Sequence, residues 1–541
     1  MADKGRIIET FVMLLLFAVL APIALAGQSS SFARPPGEHF PLSPNSHRNM
    51  PTFKFGKPVA GTTYFYWYDV DTSAHIVNHD GSDALTTHPA DMKDLSFKRT
   101  SWHRRQLLDM IDARLDFFMP VYWGVPGRYD GWSFRGLPPL VEAHDSLLKE
   151  GRMPPLIGLF YDTSILRYSN APPGGPNQHI DLSTESGKDW FYTAMRDFFS
   201  MIPPSKWARV DGRPIVFLYA AEFAKAQDPA QMPYVRKRFA ADFGVDPFIV
   251  KHRDWQGDAY AIYQWGGAIA LQIDEHVAAL GPGYDHSAVP GRAPLIVDRR
   301  GGATYSDNWE RLLALSPSRR PWMVHVETWN EWHEGTDVAH SLEYGRMYID
   351  LTRKYADLFR QGVQVPIQGL YADVTEVHWD PDNAQGMSVR PCGGDGEWGQ
   401  LTAADRTYII TRPNTFSAAQ YLYFCVDDSF AYDADETMYL TVQYRDDGCD
   451  AFTVQYDNTD YTQGPVQGAF RDSQIVRING TSRWKTVTLT LPHCRFVNRC
   501  NQADLRLAPT GGSLSLAVSR LTLRKDAPDF RSNGADHEPV Q

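Results

Sequence analysis

Between residues 59 and 365 the hydrophobic pattern switches repeatedly between a strand period and a helix period, and this alternation constrains the fold more than any other feature. Residues 62–68 (TTYFYWY) are β-branched and aromatic, as a strand requires. Residues 101–115 bring Leu107, Leu108, Ile111 and Leu115 to one side of a helix. Strands are then expected at 116–122, 155–161, 214–219, 247–251, 259–265, 294–298 and 322–329. Helices are expected at 140–148, 187–201, 230–243, 306–315 and 342–358. Strands separated by helices argue for parallel βαβ units. Eight of them in this span predict a TIM-type (β/α)8 barrel over 59–365. A doubly wound sheet is the alternative, but no GxGxxG follows the first strand, which weakens its dinucleotide-binding version.

After residue 365 the texture changes. Short strands are expected at 408–410, 418–426, 437–444, 451–456, 474–478, 485–491, 504–507 and 514–523, with Gly, Asn and Asp turns and no convincing helix. This predicts an all-β sandwich, jelly-roll-like, over 366–525. All five cysteines lie here: Cys392, Cys425, Cys449, Cys494 and Cys500. The spacing of Cys494 and Cys500 allows a small disulfide loop, and one cysteine must be left over. No C-x2-C pair supports zinc.

The flanks read differently. Residues 1–26 carry Lys4 and Arg6, an apolar run from Phe11, and Ala24-Leu25-Ala26, which together describe a secretory signal peptide. The apolar run is short for a bilayer span and holds Pro22, so a secreted or periplasmic protein with no membrane span after signal removal is expected. Residues 27–58 read as a Pro-rich extended linker and 526–541 as a polar, disordered tail. Lys plus Arg number 53 against 64 Asp plus Glu, a net charge of -11, which disfavours nucleic acid and other polyanionic partners.

A barrel of this class carries its chemistry where its strands end. The polar residues there include Asp69 after the first strand, Asp162 after the third and Asp254 after the fifth, each able to hydrogen-bond a ligand's hydroxyl groups. The densest segment follows the last strand: Trp329-Asn330-Glu331-Trp332-His333-Glu334-Gly335-Thr336. Glycoside cleavage uses two carboxyl groups about one bond, and Glu331 and Glu334 supply a pair. Two Glu three apart are more often a solvated helix face, but here they follow an apolar strand amid aromatic and polar side chains. HExxH spacing is absent, which counts against a metal held by Glu331, His333 and Glu334. Twelve of fifteen tryptophans fall in 59–365, against about eight or nine for an even spread along the chain. Tyr66, Trp67, Trp123, Trp265, Tyr284 and Trp329 are candidate sugar contacts, with Asn330 and His333 beside them. Each aromatic could equally be rim or core packing.

The 329–336 segment resembles the signature of glycoside hydrolase family 99 and its family 71-like relatives. Tyr64-Phe65-Tyr66-Trp67-Tyr68, Asp211-Gly212-Arg213-Pro214, Gly281-Pro282-Gly283-Tyr284 and Glu343-Tyr344-Gly345 agree with it. The resemblance covers about residues 60–360, by motif order and spacing. It implies an endo-acting, retaining glycosidase on α-linked, mannose-containing polysaccharide. It also implies that Glu331 is a base on the substrate's 2-hydroxyl and Glu334 the general acid. The sandwich departs from that family. Trp484-Lys485-Thr486 and Asp504-Leu505-Arg506-Leu507 give it the style of a carbohydrate-binding module, with a purely structural domain as the alternative. The rivals to a hydrolase are a non-catalytic polysaccharide-binding protein and a polysaccharide-processing transglycosylase. The expected partner is a polysaccharide or oligosaccharide. No redox or nucleotide cofactor is implied; calcium in the sandwich is left open, though no EF-hand-type loop is present.

Overall fold

The computed structural model describes residues 34–528, apart from 170–176, 404–405 and 414–417. The expected signal peptide, the start of the expected linker and the end of the expected tail lie outside the described residues.

Eight parallel strands form a nearly closed, barrel-like sheet. They are β1 (Val59–Tyr64), β2 (Phe117–Tyr122), β3 (Leu159–Tyr161), β4 (Arg213–Leu218), β5 (Phe248–His252), β6 (Ala261–Tyr263), β7 (Val277–Leu280) and β8 (Met323–Val326). Each pairs with the next from β1 to β6, β7 pairs with β8, and β8 returns to β1 with Met323 opposite Val59. Among the described residues no ladder joins β6 to β7; the seam is flanked by a short antiparallel strand at Gln272–Ile273 on β7. The sequential order rules out a doubly wound sheet, whose strand order reverses.

Strands β1 and β2 are buried along their whole length, which is why they read as unbroken apolar runs. The threonines of β1 are accommodated because their hydroxyls find partners: Thr62 Oγ1 donates to Val326 O at 2.8 Å, and Thr63 Oγ1 lies 2.6 Å from His325 Nε2. Gly61 is required by close approach, since a Cβ there would sit 2.3 Å from the Phe117 ring.

Helices α1 (Thr100–Asp112), α2 (Leu137–Lys149), α3 (Glu185–Met201), α4 (Gln231–Phe243), α5 (Ala303–Ala314) and α6 (Met347–Arg360) follow β1, β2, β3, β4, β7 and β8. The β5–β6 and β6–β7 connections carry no helix; the first is too short and the second is interrupted by Gly266-Gly267.

The seventh strand differs from expectation. Residues 294–298 are not in the barrel: Ile296–Val297 pairs antiparallel with Tyr284–Asp285 in a separate hairpin. Val277–Leu280 takes the place instead. The described part of the expected linker is also fastened down. His39 N donates to Ser200 O (3.0 Å), Leu42 N to Asp242 O (3.0 Å) and Phe53 N to Arg209 O (2.8 Å).

The C-terminal region is a two-sheet sandwich. Its strands are β9 (Glu376–Trp379), β10 (Met387–Arg390), β11 (Trp398–Ala403), β12 (Arg406–Thr411), β13 (Leu422–Val426), β14 (Glu436–Arg445), β15 (Ala451–Tyr456), β16 (Trp484–Cys494), β17 (Leu505–Thr510) and β18 (Ala517–Arg524). One sheet runs β11-β12-β18-β14-β16 with β9 on β18; the other runs β10-β13-β17-β15. Strand β14 buries Met438, Leu440, Val442 and Tyr444 in strict alternation, the mark of a half-buried strand.

All five cysteines are free thiols, so the expected disulfide is absent. Cys494 packs with Met438 and Leu489 and donates to Leu491 O at 3.2 Å, whereas Cys500 belongs to a separate cluster with Tyr423 and Phe470. Closeness in sequence does not bring their side chains into one layer.

The domains are locked together by charge. Arg495, fully buried, donates to Asp433 (2.8 Å), and Arg319 of the barrel reaches the same carboxylate (3.1 Å). Val497 inserts into the barrel's own core. Among the described residues no helix is long and apolar enough to cross a membrane.

Candidate active site

The segment after β8 is tied down from both ends. Trp329 N donates to Thr63 O (2.8 Å), continuing the pairing with β1. Glu331 N donates to Thr328 Oγ1 (2.9 Å) and Thr336 N to Glu331 O (3.2 Å), closing a compact loop. Asn330 clamps the chain just past β1: its Oδ1 accepts from Phe65 N (2.8 Å) and its Nδ2 donates to Phe65 O (2.6 Å). Tyr68 OH donates to Asn330 O (3.2 Å) and accepts from Trp332 N (3.1 Å). Gly335 closes the turn at φ +52°, where a Cβ would press on Asp285 O at 3.2 Å. Beyond it, Asp337 is buried against Arg299 (2.7 Å).

This bracing divides the motif. Trp329, Asn330 and Trp332 point into the protein, all fully buried. Glu331, His333 and Glu334 line a cleft of about 540 Å3 with Trp67, His75 and Arg292. His75 lies flat on the Trp67 indole, ring centroids 4.8 Å apart and planes within 6°.

The two glutamates differ in environment. Glu331 Oε1 accepts from His333 N (3.0 Å) and lies 2.7 Å from His333 Nδ1; Oε2 is buried with no partner. Burial pushes the Glu331 carboxyl above its ordinary range; His333 acts against this and Glu334 with it. The His333 imidazole is raised too: burial would lower it, but Glu331 and a hydrogen bond to His75 O (2.9 Å) outweigh that. Glu334 is half-buried, ion-paired with Arg292, and within reach of the Tyr284 hydroxyl. Arg292 also donates to Tyr284 OH (3.2 Å), so one guanidinium organises both.

A third carboxyl, Glu327, sits where β8 ends. It is fully buried and accepts from Gly266 N (3.0 Å), with Oε1 unpartnered. Burial raises it to about 8; the amides of Gly266, Ala268 and Gly267 pull it down and Glu334 pushes it up. Strand-end position was the signal that could have found it. His75 and Arg292 gave no such signal, since they lie eleven and twelve residues beyond the ends of barrel strands β1 and β7.

The other expected contacts divide. Trp265 is half-buried at the barrel mouth against Phe160 (5.4 Å) and Tyr219 (5.3 Å). Trp123 Nε1 donates to Ser164 Oγ (2.9 Å), which donates to Asp162 (2.6 Å); burial raises the Asp162 carboxyl. Asp254 is engaged by His252 (2.6 Å) and Ala221 N (2.8 Å).

Four assignments become framework. Tyr66 is buried and donates to Ser133 O. Trp329 Nε1 donates to Gln106 Oε1 (2.7 Å) inside the core. Asn330 is the backbone clamp described above. Asp69 is buried among Ser96, Thr72 and Lys98, each at 2.7 Å; burial would raise its carboxyl, but these partners hold it at about 2. Among the described residues no group of three His, Cys, Asp or Glu is placed to hold a metal ion, in the sandwich or elsewhere.

The chain is similar to several solved structures. One is the family 99 endo-α-mannosidase from Bacteroides thetaiotaomicron, at 16% identity, covering 56% of this chain and 98% of that one, with a TM-score of 0.40. Another is described as a glycoside hydrolase-like protein, at 15% identity, 58% and 99% coverage and a TM-score of 0.40. A third, from Clostridium thermocellum, is an endo-1,4-β-D-xylanase with a carbohydrate-binding module, at 11% identity, 29% coverage of each chain and a TM-score of 0.21. No curated protein matches the chain. Residues 51–369, more than half of the chain and the whole of the barrel-like sheet, match the domain of unknown function DUF5010, and the chain belongs to that family.

Proposed function

We propose that the protein is a secreted glycoside hydrolase that cuts within an α-linked, mannose-containing polysaccharide. The observation that carries this reading is that Glu331 and Glu334 line one cleft of about 540 Å3 with the Trp67 indole. Two carboxyl groups about one bond and an aromatic platform are what glycosidic cleavage needs. The barrel is read as a (β/α)8 type that lacks two of its helices.

In this mechanism Glu331 takes a proton from the sugar's 2-hydroxyl. The 2-oxygen then attacks C1 while Glu334 protonates the departing oxygen, and water opens the cyclic intermediate with net retention. A raised carboxyl suits Glu331, because a stronger base removes a hydroxyl proton more readily. Its two oxygens are differentiated accordingly, since His333 orients Oε1 and Oε2 is left without a partner. Glu334 must be released from Arg292 and protonated before it can act as an acid, so substrate binding has to rearrange that ion pair. Asp162, Trp123 and Trp265 are proposed to extend the sugar-contact surface at the barrel mouth.

The test is the stereochemistry of released sugar, followed by proton NMR in the first minutes of digestion. The α-anomer is expected first. Initial β-anomer would overturn the retaining route. Binding of a polysaccharide without any product would favour a lectin-like protein instead.

A further inference from the structure

A groove between the barrel and the sandwich lies apart from the carboxylate cleft. It consists of two hollows, about 730 and 340 Å3, that share Leu271, Arg390, Asn498 and Gln502. In the wider hollow the charges cancel locally: Arg311 pairs with Asp428 (2.9 Å), and Arg300 pairs with Asp307. The narrower hollow is different. Arg253, Arg390 and Arg499 converge there with Gln264, Gln272 and Asn501, and among the described residues no carboxylate lines it.

Two of these guanidiniums are held from behind by buried aspartates, Arg253 by Asp274 (3.1 Å) and Arg499 by Asp457 (2.7 Å). Arg253 Nε remains buried and unpartnered. Arg390 donates to Gln502 Oε1 (2.6 Å) and to the Gln502 carbonyl (3.4 Å) and hydrogen-bonds the Cys425 thiol, all of them uncharged partners; among the described residues no carboxylate lies within ion-pair distance of it. A guanidinium without a counter-charge, ringed by amides, is a local positive site on a chain of net charge -11. Arg253 directly follows β5 and Gln264 directly follows β6, so the hollow opens at the same barrel rim that carries Glu331 and Glu334. The Arg495–Asp433–Arg319 lock holds the two walls in register.

We infer that this narrow hollow binds a carboxylate-bearing sugar unit, a hexuronate, of the polysaccharide engaged by the protein. The planar fork of Arg390 matches a carboxylate in a bidentate arrangement, and the surrounding amides match ring hydroxyls as donors and acceptors. Recognition at a domain junction is also where ligand sites concentrate. The inference rests on the reading that the substrate is a polysaccharide.

The test uses the full chain carrying Glu331→Gln, so that bound sugar is not consumed. Titration calorimetry compares oligogalacturonate and oligomannuronate with their carboxyl-reduced counterparts, at low and high salt. At least one uronate is expected to bind about tenfold or more tightly than its reduced form, with salt weakening it. Arg390→Met is expected to abolish that difference and Arg390→Lys to retain part of it. If Arg390→Met unfolds, Gln272→Leu serves in its place and is expected to weaken the uronate at least about threefold by removing a hydroxyl partner. Equal affinity for charged and reduced forms, or binding indifferent to these substitutions, overturns the inference. Hydrolysis by the wild type is scored separately: binding without hydrolysis sinks only the proposed function, and hydrolysis without uronate preference sinks only this one.

Discussion

Replacing Asn330 by Ala separates a framework residue from a sugar contact. Its amide satisfies both backbone groups of Phe65, at 2.8 and 2.6 Å, and Phe65 is only 7% exposed. Alanine leaves a buried N–H and a buried C=O without partners, each costing about 1–3 kcal/mol. Some relaxation will recover part of this, so a loss of about 2–5 kcal/mol is expected. A substitution at a solvent-facing contact would shift stability by no more than about 0.5 kcal/mol. Urea unfolding followed by tryptophan fluorescence reads the difference directly, because most of the tryptophans lie in the barrel. An unchanged midpoint together with a raised KM would refute the clamp and return Asn330 to the substrate surface.

Other perturbations follow from the same geometry. Glu327 lies at about 8 in the folded protein against an ordinary 4.5, so its contribution to stability is full below pH 4.5 and is lost as pH rises through 8. Wild type should therefore lose about 4 kcal/mol relative to Glu327→Gln across that window, measured by denaturation at several pH values; a constant difference would count against the buried, raised carboxyl. Asp433→Ala leaves the buried Arg495 guanidinium without its paired carboxylate and leaves Arg319 only the backbone carbonyls of residues 433 and 434, at a cost of about 3–5 kcal/mol, and calorimetry should resolve a separate early transition as the sandwich undocks. Arg292→Met breaks a half-exposed ion pair, so stability should change by less than about 1 kcal/mol while the pH profile of turnover shifts, because Glu334 no longer has to be released from a cation before it is protonated; an unchanged profile would remove Arg292 from the site. Thiol titration of the unfolded, unreduced protein should count five free cysteines, and a count of three would reveal a disulfide.

Much of the fold was legible because the barrel strands are buried on both faces and therefore read as apolar runs. The seventh strand shows where that signal stops. Val277-Ala278-Ala279-Leu280 is short and has few β-branched side chains, while Pro294-Leu295-Ile296-Val297 imitates a barrel strand. Only pairing with β8 distinguishes them, and pairing is not a local property. Position after a strand end located Glu331, His333 and Glu334 in the chain. It could not separate them from Trp329, Asn330 and Trp332, because an irregular loop has no fixed period and neighbouring side chains leave it on opposite sides. Tyr66 and Asp69 failed for a related reason: polar and aromatic residues after a strand serve equally to satisfy buried groups. His75 and Arg292 come from loops whose approach to the cleft depends on tertiary contacts such as Asn78 Nδ2 to Ala288 O (3.2 Å).

If Glu331 and Glu334 cleave a glycosidic bond, the most direct measurement is a polysaccharide array with product sizing, run on wild type, Glu331→Gln and Glu334→Gln at equal folded concentration. Internal cleavage of at least one polysaccharide by wild type is expected, with a loss of about 10²–10⁴-fold in either variant and binding retained. Products of equal yield and size from all three proteins would contradict the assignment of both glutamates.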